Sequence, residues 1–284
     1  MLRSLNWNER PPWALKPGTA AGWGRLLGAS APLAAAEYAS AVDRPLVVLA
    51  DDPRHADQLE AGIRYFAGGA LDVRHFVEWE TLPWDSFSPH QDIISGRLST
   101  LYHLTGIRHG ILVIPVSTLM QRLPPREFLY RNSLVMQRGE RLDLDSMRGR
   151  LDSAGYRCVS QVMEHGEFVV RGSLLDLFPM GARVPFRIDL FDDEIESIRT
   201  FDPDNQRSLE KVDTINLLPA REFPLHEEAI RLFRRQFRAR FEGDPQASSI
   251  LALEVQAVGR YARVPPHDHG RAIQRHAVGP ESGR

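Results

Sequence analysis

The apolar residues of this chain change their period about halfway along it. Leu46-Val-Val-Leu-Ala50 is a short continuous apolar run. Such a run suits a strand buried on both faces of a parallel sheet. Asp52 and Pro53 then supply an N-cap and a first helical residue, and Ala56, Leu59, Ile63 and Phe66 recur at helical spacing. Upstream, the alanine-rich run from Arg25 to Ala41 predicts a helix with Pro32 near its start. Val73 to Val77 predicts the next strand. Ser88-Pro-His-Gln91 predicts a second helix start, with Ser88 as N-cap, Pro89 at the first position and Gln91 completing a capping box. Ile94, Leu98 and Leu101 continue that helix. Ile111 to Ile114 predicts another buried strand, with Ser117 capping a short helix after it. Alternating strand and helix in this order predicts a parallel α/β sheet.

After about residue 132 the strands crowd together. Ser133–Gln137 predicts a strand and Asp143–Ala154 a helix. Strands are then predicted over Arg157–Glu164, Glu167–Arg171, Leu174–Phe178, Val184–Phe191 and Glu194–Phe201. Turn residues such as His165-Gly166, Met180-Gly181 and Asp192-Asp193 separate them. This is the pattern of a small α+β domain with an antiparallel sheet. Val212–Leu217 predicts one more strand. From His226 to Phe241 an amphipathic helix is predicted, with Ile230, Phe233, Phe237 and Phe241 on one face and Arg231, Arg234, Arg235 and Arg238 largely elsewhere. The first 24 residues, rich in Pro, Gly and Trp, predict an irregular arm. The Arg-, His-, Pro- and Gly-rich tail beyond about Ile250 predicts disorder.

Composition narrows the functions available. The formal net charge is −2, with no global basic field to hold nucleic acid, so any DNA contact needs a local patch. One such patch is the arginine-rich helix over 231–240, which makes a DNA-binding module the alternative reading. The single cysteine, Cys158, permits neither an internal disulfide nor a cysteine zinc site. No signal pattern opens the chain and no run approaches a membrane span, so a cytoplasmic protein with no membrane partner is expected.

Catalytic motifs are missing where the fold class would place them. A P-loop needs a glycine-rich turn followed by Lys and Ser/Thr at a helix start. The candidate stretch Gly28-Ala-Ser-Ala-Pro32 has one glycine, no lysine, and a proline where a backbone N–H is wanted. Neither of the two lysines, Lys16 and Lys211, follows a glycine-rich turn. Asp51-Asp52 reads as a helix cap and not as a metal-holding pair. His90 and His165 read as solvated side chains. The expectation is therefore no catalysis, no cofactor and no metal.

Residues 164–201 carry more information. Period two places Phe186, Ile188 and Leu190 on one face of a strand, and Arg187, Asp189 and Phe191 on the other. Arg171 likewise lies opposite Phe168 and Val170. Either Phe191 is an exposed aromatic beside arginine, the composition of a binding hot spot, or it packs under the Asp192-Asp193 turn.

Several of these stretches resemble one family. They are LPWDSFSPHQDIISGRLSTL at 82–101, Gly155-Tyr-Arg157, Glu164-His-Gly-Glu167, Arg171-Gly-Ser-Leu-Leu-Asp-Leu-Phe-Pro179 and Phe191-Asp-Asp-Glu194. They resemble the N-terminal, UvrB-homologous module of the bacterial transcription-repair coupling factor family, over about residues 25–250. The resemblance implies a RecA-like parallel α/β domain without a working P-loop, carrying an inserted small α+β antiparallel-sheet domain that binds UvrA. In these terms the chain divides into an arm (1–24), the first part of the RecA-like domain (25–132), the insertion (133–213), the second part (214–250) and a tail outside the family pattern (251–284). The family's contact residues fall on Arg171, Arg187 and Phe191. The implied role is an adaptor that recruits UvrA in transcription-coupled nucleotide-excision repair. RNA polymerase and double-stranded DNA would be partners of the full-length parent, whose ATP-driven translocase is not expected in this chain.

Overall fold

Helix and strand alternate through the first third of the protein because caps and prolines punctuate the apolar periods. The computed structural model describes residues 18, 20, 22, 26–81, 85, 88–224 and 227–240. Nearly all of the expected 1–24 arm, Phe241 and the whole 251–284 tail lie outside the described residues. Helix α1 spans Ser30–Ala41 and starts later than expected. Gly28 adopts a left-handed φ of 56°, and the Ser30 hydroxyl donates to the Leu27 carbonyl, so the chain turns there before it coils. Strand β1 is Leu46–Ala50 and helix α2 is Pro53–Ala67. The Asp52 side chain accepts from the His55 N–H at 2.8 Å, and Gly68 closes the helix at φ 57°. Strand β2 (Asp72–His75), helix α3 (Gln91–Leu104) and strand β3 (Gly110–Pro115) follow.

The three strands form a parallel sheet in the order β1-β3-β2. Leu46, Val48 and Ala50 share a core with Ile111, Val113 and the apolar side of α2. β1 is not buried on both faces as its composition predicts. Val47 and Leu49 are 52% and 51% exposed, although their register partners Leu112 and Ile114 are buried. β1 is an edge strand. Leu112 and Ile114 belong to a core with Ile94 and Leu98 of α3, whereas Val47 and Leu49 do not.

Helix α3 also begins later than the capping-box pattern predicts. His90, and not Ser88, occupies the N-cap, and its ring nitrogen accepts from the Asp92 N–H. Tertiary contacts fix this start. His165 Nδ1 lies 2.6 Å from Asp92 Oδ1, and the Gly181 N–H donates to the Ser95 hydroxyl at 2.8 Å. Helix α4 (Val116–Leu119) has Pro115 at its N-cap, with Ser117 inside it. Helix α5 (Arg126–Arg131), not expected from the period, starts behind Pro125.

The rest of the unit is mainly antiparallel. Strand β4 is Leu134–Gln137, and helix α6 is Leu144–Ser153, capped by Asp143. Then come β5 (Arg157–Cys158), β6 (Glu167–Arg171), β7 (Leu174–Leu177), β8 (Phe186–Phe191), β9 (Glu194–Phe201), β10 (Ser208–Val212) and β11 (Thr214–Leu217). Six of them form one sheet in the order β10-β9-β8-β7-β6-β5, antiparallel except at β5–β6. β5 is far shorter than expected. The Glu167 carboxylate accepts from the Met163 and Glu164 N–H groups, which bends that segment out of the sheet. β10 escapes the pattern because its residues are almost all exposed and carry no alternation. β11 pairs with β4 in a separate ribbon, so the expected Val212–Leu217 strand splits at Asp213 between two sheets.

The two sheets with long strands share a core. Leu98 and Ile114 from the parallel part pack in one cluster with Phe168, Leu177, Ile188 and Ile198 from the antiparallel part. A buried ion pair adds a polar link across it. Arg97 is fully buried, with Nε 2.5 Å from Glu222 Oε1, and it lies over the Phe76 and Trp79 rings. Trp79 Nε1 also donates to Glu222 Oε1. The described residues up to 81 and from 89 to 224 belong to one compact unit. Helix α7 (Glu227–Arg240) belongs to another. No helix among the described residues is long and apolar enough to cross a membrane.

Candidate functional site

The face of the six-stranded sheet opposite the shared core carries the residues singled out by period two. Phe186, Ile188 and Leu190 point into the core, which leaves Arg187, Asp189 and Phe191 on the other side. Register brings Asp176 beside Arg187 and Leu174 beside both Asp189 and Arg171. One end of this outer face is closed by a small apolar cluster of Val162, Val169, Phe178 and Phe201. The other end stays open.

Phe191 stands at that open end, 70% exposed. It is the last residue of β8, paired with Glu194 across the Asp192-Asp193 turn. Asp192 holds a left-handed φ of 55°, a conformation that Asp tolerates better than most residues. The segment before α6 braces the hairpin: the Leu142 N–H donates to the Asp193 carbonyl, and the Gly139 N–H to that of Ile195. The ring therefore stands on a fixed strand end and does not pack under the turn.

The two arginines are placed differently. Arg171 is 48% exposed; it donates to the Ser160 carbonyl, and its Nη1 lies 3.9 Å from Asp176 Oδ2. Arg187 is only 20% exposed. Its Nε and Nη2 donate to the two oxygens of Asp176 at 2.7 and 2.9 Å, and Nη1 donates to the Gln206 carbonyl. Its guanidinium carbon lies 5.0 Å from the centre of the Phe201 ring. The hydrogen bonds to Asp176 raise its pKa above the ordinary value, against the opposing effect of burial. Asp176 itself is 3% exposed. The three sequence-derived residues thus share one face, but most of the Arg187 hydrogen-bonding capacity is spent inside the fold. Asp176 carries no sequence signal of its own, because its role depends on a neighbour eleven residues away across a turn.

Other groups of polar side chains support the fold more than any chemistry. His165, expected to be solvated, is largely buried between the Asp92 carboxylate and the Ala182 carbonyl, stacked 4.0 Å from the Phe178 ring centre. Asp57, Glu60 and His75 come together within the reach of one cation. However, Arg64 already holds Glu60 at 2.8 Å, and the buried Nε2 of His75 has no hydrogen-bond partner. A metal-bound imidazole needs its second nitrogen anchored, and this one is not. On α7, Arg231, Arg234, Arg235 and Arg238 are exposed, and the Phe233 and Phe237 rings lie 5.7 Å apart.

Residues 134–223 match the family described as the UvrB interaction domain. The chain is similar to the transcription-repair-coupling factor of Escherichia coli (strain K12), 55% identical over 219 residues, which cover 77% of this chain and 19% of that protein. The corresponding factor of Haemophilus influenzae is 52% identical over 218 residues, 77% of this chain and 19% of its own length. That of Myxococcus xanthus is 36% identical over 209 residues, 72% and 17% respectively. The chain thus spans about a fifth of the length of these relatives. All of the outer-face residues described above lie inside the 134–223 match.

Proposed function

We propose, for a chain whose residues 134–223 match the UvrB interaction domain and whose relatives are transcription-repair-coupling factors, that it is a docking module which recruits UvrA in transcription-coupled nucleotide-excision repair. The observation that carries this reading is the exposed Phe191 ring at the open end of a rigid strand, on the same face as Arg171 and Arg187. A protein that needed only to fold would gain by burying that ring; a fully buried Phe side chain is worth about 1.5–3 kcal/mol. An aromatic anchor flanked by arginine is the usual composition of a binding hot spot.

In this reading Phe191 enters an apolar pocket on UvrA and Arg171 meets an acidic group. Arg187 acts mainly by holding the strand pair and Asp176 in place, and offers its remaining edge to the partner. The module binds and does not catalyse. The parallel β1-β3-β2 part is read as a RecA-like domain (25–132 and 214–250) without a working P-loop, and 133–213 as its UvrA-binding insertion. Contacts with RNA polymerase and double-stranded DNA are assigned to a longer parent protein.

The test is a binding titration of the chain against purified UvrA, with Phe191→Ala as the control. Loss of binding in the variant supports the reading. Equal binding by both chains ends it.

A further inference from the structure

One row of the outer face holds a charge that the fold leaves unbalanced. Register sets Asp176 on β7 beside Arg187 on β8, Arg187 beside Arg199 on β9, and Arg199 beside Lys211 on β10. Side chains in register across neighbouring strands leave the same face about 5 Å apart. Three cations therefore stand side by side with one carboxylate at the end of the row. That carboxylate is already clasped by Arg187. Arg199 and Lys211 form no ion pair among the described residues. The Arg199 Nε is buried with no acceptor, and in the next row the Ser197 hydroxyl, beside Asp189, is buried without a partner as well.

Like charges opposite one another weaken a sheet, and a buried guanidinium donor without an acceptor costs more. Nothing inside the described fold offsets either cost. Anions from outside, meeting the partly exposed Arg199 and the exposed Lys211, would offset the first. Carboxylates fit better than a phosphate backbone, because Asp189, Asp192 and Asp193 lie on the same strand and its turn and would repel a continuous polyanion.

We propose that Arg199 and Lys211 extend the docking face and receive carboxylate groups of the partner, which makes Arg199 the cation that Arg187 cannot be while it serves Asp176. This inference rests on the reading that the outer face docks UvrA. Phe191 would then anchor one end of the contact and the Arg199–Lys211 pair would clamp the other. Phe191 lies four residues from Arg187 along β8, a span of roughly 13 Å at the usual strand rise.

The experiment titrates the full 284-residue chain and its Arg199→Glu, Lys211→Glu and Phe191→Ala variants against purified UvrA, at low and at raised salt. Charge reversal at Arg199 is expected to weaken binding about tenfold or more, as for other close interfacial charge pairs, and reversal at Lys211 by less. The low-salt advantage of the parent chain should shrink in both variants. Lys211 is exposed, so its variant reads the surface even if Arg199→Glu folds poorly; circular dichroism of each variant settles that point. If Phe191→Ala weakens binding while both charge reversals bind like the parent chain, this inference is wrong and the docking face stands. If all variants bind alike, the docking face itself fails. Binding of duplex DNA by the parent chain that Arg199→Glu abolishes would overturn the assignment in favour of a nucleic-acid contact.

Discussion

Arg187 on β8 clasps Asp176 on β7 through two hydrogen bonds, 2.7 Å from Nε and 2.9 Å from Nη2. The pair sits one strand spacing from Arg199, which forms no ion pair among the described residues and whose Nε has no acceptor, so the same face shows one cation that is satisfied and one that is not. This difference separates a residue that holds the face together from residues that a partner can use.

Replacing Phe191 should therefore affect binding and leave folding alone. Phe191→Ala is expected to cost about 2 kcal/mol or more of UvrA affinity. Its ring is mostly solvated, so the thermal midpoint should stay within a degree or two of the parent. Calorimetric titration and a melting curve on the same sample check both halves.

Arg187→Ala should be felt first in folding. It strands the Asp176 carboxylate, 3% exposed, without its principal partner. The loss of one member of such a pair costs about 3 kcal/mol. Urea unfolding should show the drop. A double variant with Asp176→Asn should recover part of it, because the uncompensated charge is removed. A single variant as stable as the parent would refute the assigned positioning role.

Arg97 and Glu222 form the other pair whose loss should be felt throughout the unit. Arg97→Ala or Glu222→Ala leaves one charge buried among Phe76 and Trp79. Each is expected to destabilise by about 3–5 kcal/mol. Hydrogen exchange should then show loss of protection in both β3 and β8, since the two strands share a core.

The Glu60 carboxyl lies below its ordinary value of 4.5, chiefly through its hydrogen bond to His75 and then through Arg64, against the effect of burial. A carboxyl depressed in the folded state contributes stability above its unfolded pKa and loses it as pH falls through the folded one. The stability gap between the parent chain and Glu60→Gln should thus be full at neutral pH and close as the pH drops below about 4.5. Denaturant unfolding over that pH range measures it.

The sequence showed the position of most strands and the facing of β8, because alternation needs only local spacing to be read. It also showed the capping of α2, since Asp52 and the His55 N–H it accepts from are three residues apart. It misjudged the start of α3, where contacts from His165 and Gly181 outweigh the local Ser88 pattern. It missed β10, whose exposed residues give no apolar signal. It expected β1 to be buried on both faces, because an apolar run does not say whether the strand is central or at an edge.

By itself, then, the amino-acid order determined which side of each strand is greasy and which carries charge, and with that the direction in which Arg187 and Phe191 point. Only the tertiary structure decided what those charges do. The Asp176–Arg187–Arg199–Lys211 row is assembled from four strands, and no spacing along the chain encodes which residue stands beside which. That choice belongs to the strand register and the turns that set it, so the satisfied cation and the free one become distinguishable only once the sheet has closed.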